Sequence, residues 1–381
     1  MKIKKIINVI IIVLALSISF LGCSFVLNRQ ATSNEIRVKN FYLEEKNSLD
    51  VVLIGSSSIY TGFSAPYAWK TSGIKSYALA TSGAPMGIAK SMMIDVLDRQ
   101  KPSVILIDLN GIRYNDKQEN NEGMLRFWID NMPYSKNKID TIKELIPKNE
   151  RMTYYLPILK YHNNWERIKP ITQAAIAEIE TNINKNALAA RGMSGTAHQM
   201  NITKTIDMSK YEKREKLFED SSRHLQELMD YCKENNIKNV AFVNMPRFYT
   251  KKTKKERGFI NSAIDLVQKN GFKVYDFDKD IKEIGLDKKT DYYDINHLNI
   301  YGQQKMTKYL CDQLIQDYNI QTMSTQKQNE KWDLEYKEYI KIYNWVDNVI
   351  KTKDDEIKKS KTYKYKKYGF KEILKIINGE E

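Results

Sequence analysis

The chain has few residues of the kinds that build metal sites and disulfide frameworks. Its 381 residues include three cysteines and four histidines. Cys23, Cys232 and Cys311 are far apart, no two of them have metal-ligand spacing, and the histidines do not cluster with them. A zinc-type site is therefore not indicated, and we expect neither a metal nor a cofactor. Cys232 and Cys311 fall in helix-like segments and are expected to be small buried residues, with a disulfide between them as the alternative.

Acidic residues are also fewer than basic ones. There are 47 acidic residues against 61 lysines and arginines, which gives a formal net charge of +14, while the 42% hydrophobic share is ordinary for a globular protein. The excess comes with much Ile, Asn and Tyr, so compositional bias with a solvated surface is one interpretation. The other is attraction to a polyanion such as a membrane surface, a cell-wall polymer or a nucleic acid. The length allows a full-sized core and modestly exceeds that of one typical domain.

The N-terminus narrows the choice of partner. Lysines precede an apolar run that extends to Leu27, so residues 1–27 are long enough to span the hydrocarbon core as a helix. The leading lysines predict that this end stays inside and the remainder lies outside, which makes nucleic acid an unfavoured partner. We therefore expect a single-pass signal anchor with an extracellular body. The alternative is a lipoprotein signal, because Phe20 to Cys23 resembles a lipobox in which Cys23 would carry the lipid.

From Leu49 onward, short apolar runs alternate with amphipathic helical patterns. Five runs have the character of buried strands, namely LDVVLIG, KSYALA, PSVILIDL, KNVAFVNM and KVYDFD. Helical spacing separates them, as over Pro85 to Arg99, Tyr211 to Asn235 and Lys255 to Lys269. This alternation predicts an α/β fold with a parallel sheet covered on both faces, whose chemistry gathers at the C-terminal strand ends.

Two regions depart from the alternation, which leads to four predicted segments. Residues 1–27 are the anchor, 28–48 a linker, 49–323 the α/β domain, and 324–381 a basic helical extension. Within the domain, residues 112–208 are expected to be a mainly helical insertion near the active-site rim, either a substrate-shaping cap or a packing elaboration. In the extension, Tyr339, Val346 and Ile350 belong to a helical stripe that favours docking onto the body. The lysine- and tyrosine-rich stretch 358–371 favours docking too, with a membrane surface as the alternative.

Two short segments carry the residue types of a serine hydrolase. In LDVVLIGSSS, serines follow directly on an apolar strand, and in DINHLNIYG, Asp294 and His297 lie three residues apart. A serine hydroxyl becomes a good nucleophile when a histidine accepts its proton, and that histidine needs a carboxylate to hold its tautomer. The helix predicted over Tyr301 to Gln316 would fix the loop that carries the pair. Each segment alone is a weak signal, but together they supply a complete triad.

These two segments, in this order on an alternating chain, resemble the SGNH (GDSL-type) hydrolase superfamily. The resemblance covers Leu49 to Asp317 apart from the insertion. It implies a flavodoxin-like three-layer fold in which Ser57 of Gly55-Ser56-Ser57 is the nucleophile, although the family has Asp where Ser56 stands. The family's last block is Asp-x-x-His, often followed by Leu, Asn and Gly, and it implies that Asp294 and His297 complete the triad.

The same resemblance implies the donors of an oxyanion hole. The family's second block supplies a glycine, which Gly83 matches, and its third block is Gly-x-Asn, in which Asn110 matches but Asp108 replaces the glycine. The N–H groups of Ser57 and Gly83, with the Asn110 amide, would then meet the developing oxyanion. Arg247, which follows the fourth strand, is a candidate to bind an anionic substrate group, with an ordinary surface arginine as the alternative.

Membrane-anchored SGNH proteins that face outward add or remove ester-linked groups on bacterial envelope polymers. The resemblance therefore implies an extracytoplasmic serine esterase or O-acyltransferase that acts on a cell-envelope glycan or polyol polymer. A partial likeness to the anchored proteins of teichoic-acid D-alanylation lies in the Gly-Ser-Ser turn, where Ser58 replaces their Glu. Two alternatives stay open: a non-catalytic envelope binding or assembly module with a membrane acyltransferase as its partner, and a lipase or phospholipase.

Overall fold

The centre of the protein is a five-stranded parallel sheet. The computed structural model of the chain describes residues 2–184, 189–196, 199, 205–206, 208, 211–320, 322 and 324–359. The sheet comprises β1 (Val51–Gly55), β2 (Ser76–Ala80), β3 (Val104–Asp108), β4 (Val240–Asn244) and β5 (Lys273–Asp276). Their order is β2-β1-β3-β4-β5, and every neighbouring pair is parallel. The α/β fold with a flavodoxin-like sheet is thus confirmed, and all five predicted apolar runs form strands.

Helices surround the sheet and continue into the insertion and the extension. They are, in chain order, α1 (Lys2–Leu27), α2 (Ser33–Phe41), α3 (Ser57–Gly62), α4 (Ala65–Ser72), α5 (Gly87–Arg99), α6 (Asp116–Glu119), α7 (Glu122–Ile129), α8 (Lys136–Leu145), α9 (Met152–Tyr155), α10 (Ile158–Tyr161), α11 (Ile168–Asn184), α12 (Glu219–Glu234), α13 (Lys254–Lys269), α14 (Ile300–Tyr318) and α15 (Gln326–Lys359). Short 3₁₀ helices cover Leu109–Arg113, His162–Arg167 and Ala189–Gly192. Strands β1 to β4 are buried along their whole length, as expected for parallel strands that helices cover on both faces.

The segment predicted as a linker, residues 28–48, contains helix α2 and packs against the sheet. Arg37 is buried and donates a hydrogen bond to the Ala80 carbonyl at 3.1 Å, and the Tyr77 hydroxyl donates to the Arg37 carbonyl at 2.7 Å. Val38 and Phe41 belong to the main core. The chain therefore enters the body immediately after α1 instead of crossing an open linker.

Helix α1 is the apolar N-terminal helix that the sequence predicts. Among the described residues, Ile3–Leu27 is a segment long and apolar enough to cross a membrane, and its side chains are largely exposed. The helix continues unbroken through Cys23. A signal anchor and a signal sequence share this character.

The insertion contributes α6 to α11 and reaches the C-terminal edge of the sheet twice. The Met124 side chain on α7 lies so close to Gly83 that a Cβ there would come within 2.9 Å of it. Further along the chain, the Ser194 N–H donates to the Tyr60 carbonyl at 2.7 Å, and the Thr196 hydroxyl donates to the Leu298 carbonyl at 3.1 Å. The insertion thus borders the loops that carry the candidate site, which is compatible with both the cap and the packing interpretations.

Helix α15 of the extension docks onto the body, in keeping with the apolar stripe. Tyr339, Val346 and Ile350 are buried in a second apolar cluster that also contains Met193 and Ile300. Helix α15 ends at Lys359 and includes the first two residues of the basic and aromatic stretch 358–371. The rest of that stretch and of the predicted tail lies outside the described residues.

Candidate active site

Ser57 lies at the point where the central strand β1 becomes helix α3. Gly55 ends the strand with φ of 153°, and a Cβ on it would come within 2.2 Å of the Asp108 Cβ, so the turn has room for glycine alone. Ser56 has extended backbone at the N-cap, and Ser57 is the first residue of α3. The backbone therefore turns sharply at the edge of the sheet and carries the Ser57 hydroxyl there.

The buried Asp108 carboxylate fixes the serines on either side of Ser57. Its Oδ2 accepts hydrogen bonds from the Ser56 N–H at 3.1 Å and from the Ser56 and Ser58 hydroxyls, each at 2.6 Å. Its Oδ1 accepts from the Asn110 N–H at 3.0 Å. The two flanking hydroxyls point down to this carboxylate, whereas the Ser57 hydroxyl points to a histidine. Sequence reasoning recorded Asp108 as a departure from a motif and missed this structural role.

His297 and Asp294 occupy a two-stranded antiparallel hairpin, β6 (Tyr292–Asp294) and β7 (His297–Leu298). The His297 Nε2 lies 2.7 Å from the Ser57 Oγ, and its Nδ1 lies 2.9 and 3.0 Å from the two Asp294 oxygens. The Asn296 N–H donates to Asp294 Oδ1 at 2.7 Å. The structure therefore joins the three predicted triad residues in one hydrogen-bonded chain, on a tight turn where the sequence predicts a loop.

The hydrogen bonds of Asp294 favour its ionised form. Burial by itself would raise the pKa of the carboxyl, but the bond to His297 and the backbone N–H groups of Asn296 and His297 outweigh burial. The pKa of Asp294 consequently lies below its ordinary value. The His297 side chain is 24% exposed, so its ring remains partly accessible to solvent. An ionised carboxylate on one ring nitrogen and a hydroxyl on the other is the arrangement that prepares a histidine to act as a base.

Asn299 secures the hairpin to the helix that follows it. Its side-chain oxygen accepts from the N–H groups of Tyr301 and Gly302 at 3.0 and 3.3 Å, which caps the N-terminus of α14. Its amide group donates to the Thr290 carbonyl at 2.7 Å, on the other side of the hairpin. A Cβ at Gly302 would come within 2.3 Å of the Asp291 carbonyl oxygen, so α14 approaches the hairpin closely.

Gly83 and Asn110 follow the two strands that flank β1. Gly55 pairs with Ala80 in the sheet, and Ile54 pairs with Ile107, so the loops after β1, β2 and β3 leave from one edge. Gly83 has φ of 62°, and the preceding Ser82 hydroxyl lies 3.0 Å from the Tyr60 hydroxyl on α3. Both predicted oxyanion donors therefore belong to loops adjacent to the one that carries Ser57.

Two arginines hold the Asn110 side chain in one orientation. The Asn110 Oδ1 accepts hydrogen bonds from the guanidinium groups of Arg113 and Arg247. The amide Nδ2 then points the other way, with the Tyr114 hydroxyl 3.5 Å from it. The arginines thereby present the Asn110 amide as a hydrogen-bond donor, which is the state that an oxyanion contact requires. Arg113 was not singled out from the sequence, and no local pattern marks it.

Arg247 is buried and its guanidinium is hydrogen-bonded, so it is not an ordinary surface arginine. Its guanidinium contacts Asn110 and donates to Glu256 at 3.2 Å, and its backbone N–H donates to Asp278 at 2.9 Å. Glu256 also pairs with Arg113. Burial, followed by the neighbouring Arg247 guanidinium, lowers the pKa of Arg113 to about 9. Both guanidinium groups pair with the Glu256 carboxylate, and the Asp108 and Asp278 carboxylates also lie beside them, so the substrate-binding role of Arg247 stays a prediction.

The remaining cysteines and histidines take no part in this arrangement. Cys232 and Cys311 are buried free thiols, so the alternative disulfide is not formed, and burial raises their pKa to about 11 and about 12. His224 is buried, with its Nδ1 2.8 Å from Glu119, whose carboxylate also accepts from the N–H groups of Met86 and Gly87. His162 is exposed, and His198 lies outside the described residues. Within the part of the chain that the structure describes, no group of three or more metal-ligating side chains occurs.

The arrangement can activate a serine hydroxyl for attack on an acyl carbon. His297 contacts the Ser57 hydroxyl, Asp294 contacts His297, and the loops that carry Gly83 and Asn110 leave the same edge of the sheet as the Ser57 turn. These contacts link residues from the two ends of the domain, which the sequence separates by 240 positions. Comparison with protein-family models and with curated proteins finds no match to this chain.

Proposed function

We propose that the protein is an extracytoplasmic serine esterase or O-acyltransferase that acts on acyl esters of a bacterial cell-envelope polymer. The observation that carries the proposal is the hydrogen-bonded chain from Ser57 Oγ through His297 to Asp294. A lone Asp–His pair is common in proteins, but a pair whose free ring nitrogen lies 2.7 Å from a serine at a strand-to-helix turn is specific to nucleophilic catalysis.

In the first half of the reaction, the Ser57 oxygen attacks the acyl carbonyl carbon while His297 Nε2 accepts the hydroxyl proton. The tetrahedral oxyanion then collapses, the ester C–O bond breaks, and His297 returns its proton to the departing alcohol. An acyl group remains on Ser57. Asp294, ionised and bonded to Nδ1, stabilises the imidazolium that forms in between.

In the second half, water or a hydroxyl of a polymer attacks the acyl-enzyme. His297 accepts the proton of the attacking group and gives it to the Ser57 oxygen as the acyl group leaves. Water makes the protein an esterase, and a polymer hydroxyl makes it an acyltransferase. The two activities share every residue of the site.

The oxyanion is the part of the reaction that most needs stabilisation. The proposed donors are the N–H groups of Ser57 and Gly83 and the Asn110 amide, whose orientation Arg113 and Arg247 fix. One donor of this kind contributes about 10²- to 10³-fold to the rate.

Membership of the SGNH superfamily is part of this proposal. A parallel sheet of this order is consistent with that superfamily but is shared with others. In support, the two positions that depart from the family's blocks, Ser56 and Asp108, are bonded to each other at 2.6 Å. A carboxylate is thus retained beneath the nucleophile loop, supplied from the third strand instead of from the residue before the nucleophile.

The proposed location rests on helix α1, and the proposed substrate rests on the net charge. We propose that α1 spans the cytoplasmic membrane as a signal anchor, because its side chains are apolar and exposed, and that the body lies outside. The net charge of +14 suits an anionic envelope polymer. A membrane acyltransferase that supplies the acyl group is a compatible partner.

The proposal is tested by labelling the full chain with a fluorophosphonate and measuring its intact mass. We expect one adduct, on Ser57, that is absent in Ser57→Ala and strongly reduced in His297→Ala. Ser222→Ala, which removes a hydroxyl from the surface of α12, serves as the matched control and should label like the parent protein.

Two outcomes would contradict the assignment. An adduct that persists in a folded Ser57→Ala variant would mean that another residue is the nucleophile. A folded parent protein that forms no adduct would favour the non-catalytic assembly module. Release of fatty acid from phospholipid, in place of a small acyl group from envelope polymer, would instead identify a lipase.

A further inference from the structure

Part of the insertion surrounds the end of α1. Helices α10 and α11 and the 3₁₀ helix His162–Arg167 all contact α1. The Asn164 amide donates to the carbonyls of Leu27 and Arg29, at 2.7 and 2.9 Å. Glu178 on α11 pairs with Arg29 and, at 2.8 Å, with Lys39. These helices therefore lie where the apolar helix enters the body, which is the level of the membrane surface if α1 spans the membrane.

The insertion exposes most of the large apolar side chains that the body leaves in solvent, and five of them lie on these same helices. Outside α1, ten such residues are exposed among those described, and eight of them lie between residues 134 and 179. We call these eight the insertion patch: Tyr134, Met152, Leu156, Leu159, Trp165, Ile168, Ile176 and Ile179. The other two are Ile315 and Leu334. A contiguous apolar surface marks an interaction site, and the five of these residues on α10, the 3₁₀ helix and α11 lie on the elements that contact α1.

Helix α11 shows that this exposure follows a face of the helix. Ile171 and Ala175 are buried, whereas Ile168, Ile176 and Ile179 are 49, 54 and 48% exposed. At 100° per residue, these three isoleucines fall within a sector of about 80°. Counted in the same way, Ile171 and Ala175 lie on one side of Ile168, so α11 has a single apolar face of about 140° that is buried along one edge and exposed along the other.

The composition of the insertion patch favours lipid as the environment of its exposed side chains. Trp165 is 64% exposed and Tyr134 is 66% exposed, and tryptophan and tyrosine are the residues enriched where membranes meet water. Arg167 and Lys169 are exposed beside them and can contact anionic headgroups. A protein partner would also cover an apolar face, but continuity with α1 places this one where lipid is already present.

We propose that the insertion patch lies in the interfacial layer of the membrane that α1 spans, so that the body has two attachments to the bilayer. This inference rests on the membrane-anchor part of the proposed function. One helix alone would tether the body, whereas a second contact fixes its orientation and the height of the catalytic edge above the lipid. The insertion would then serve mainly to position the domain, in addition to bordering the crevice.

A spin label in the full chain tests the proposal. In a Cys23→Ser background, which removes the exposed cysteine among the described residues, a nitroxide is attached at Ile176→Cys. The matched control is Ile315→Cys, an exposed isoleucine on α14 outside the insertion patch. The protein is reconstituted in vesicles of phosphatidylethanolamine and phosphatidylglycerol, and accessibility to oxygen and to a water-soluble nickel chelate is measured by power saturation.

We expect oxygen to relax the label at position 176 several-fold more effectively than the nickel chelate does, and the reverse at position 315. A second label at Trp165→Cys should behave like that at 176. Equal nickel accessibility at 176 and 315, in protein that floats with the vesicles, would overturn the proposal and indicate a protein partner for this face. Protein that fails to float with vesicles would instead refute the anchor. Neither result depends on the chemistry at Ser57.

Discussion

At the scale of single residues, the site depends on charged groups that do not touch the substrate. Asp108 holds the two serines that flank Ser57, and Arg113 and Arg247 hold the side chain of Asn110, the proposed oxyanion donor. Buried charges are costly unless they are paired and hydrogen-bonded, so their presence here indicates that they maintain a geometry. The side chains proposed to react are common ones, and hydrogen bonds from neighbouring residues fix their positions.

Arg247 provides the clearest test of such a positioning role. In Arg247→Met, the Asn110 amide loses one of its two guanidinium partners and is free to rotate. We expect kcat for p-nitrophenyl acetate to fall with little change in KM, by at most the roughly 10²- to 10³-fold that one oxyanion donor contributes. Arg214→Met, which removes an exposed arginine paired with Asp265 on the surface, is the control and should leave kcat unchanged.

A double-mutant cycle separates this role from simple destabilisation. If Arg247 acts through Asn110, then Arg247→Met should cost almost nothing further in an Asn110→Ala background. Fully additive losses would show that Arg247 contributes independently, for example by binding an anionic substrate group as the sequence suggested. Circular dichroism of both variants establishes that they are folded.

At the scale of elements, the C-terminal helix α15 is an integral part of the domain. Tyr339 is completely buried, lies 6.2 Å from the Tyr67 ring between centroids, and accepts a hydrogen bond from Gln304 at 2.7 Å. We expect Tyr339→Ala to lower the free energy of unfolding by about 3–5 kcal/mol, as for other large buried aromatic residues. Leu334→Ala on the same helix removes a side chain that is 47% exposed, and should cost well under half as much. Urea denaturation measures both, and equal small losses would mean that α15 contributes little to the fold.

The elements also show what the sequence could and could not predict. Short apolar runs predicted all five strands. Strands β1 to β4 are buried along their length and carry little polar alternation to confuse the pattern, whereas the edge strand β5 is only partly buried. The helix predicted from Tyr211 begins instead at Glu219. The intervening residues make hydrogen bonds to α13, where the Asn261 amide donates to the carbonyls of Tyr211 and Lys213. Such long-range partners are invisible in a local pattern.

The candidate site likewise contains some residues that could be predicted from the sequence and others that could not. The contact of Ser57 with His297 and Asp294 could be predicted because the two segments that carry them resemble the blocks of the SGNH superfamily, in the same order. The roles of Asp108 and Arg113 could not, because each depends on a contact between strands or loops that the sequence does not encode locally. The short hairpin that carries the histidine was also missed, since strands of two or three residues leave no periodic signal.

At the scale of the whole molecule, the excess of positive charge is opposite in sign to the charge of the proposed polymer substrate. The net charge of +14 is far from zero, and a field of this sign should concentrate an anionic polymer near the site in low salt. The same lysines would also result from compositional bias, in which case they would only keep the surface solvated. The two interpretations differ in how activity depends on ionic strength.

If the charge serves substrate capture, then kcat/KM for an acylated anionic polymer such as D-alanylated teichoic acid should fall steeply with added salt. Between about 0.01 M and about 1 M salt the Debye length shrinks from about 30 Å to about 3 Å, which screens attraction between the polymer and the body while leaving contacts within the triad intact. Turnover of p-nitrophenyl acetate, a neutral ester that reaches the same Ser57, is the control and should change little. The loss should appear in KM with kcat preserved, because screening weakens encounter and binding without altering the acyl transfer step. A polymer whose kcat/KM is as insensitive to salt as that of the small ester would assign the basic surface to composition, and would leave the triad with a substrate that is recognised by contacts in the crevice alone.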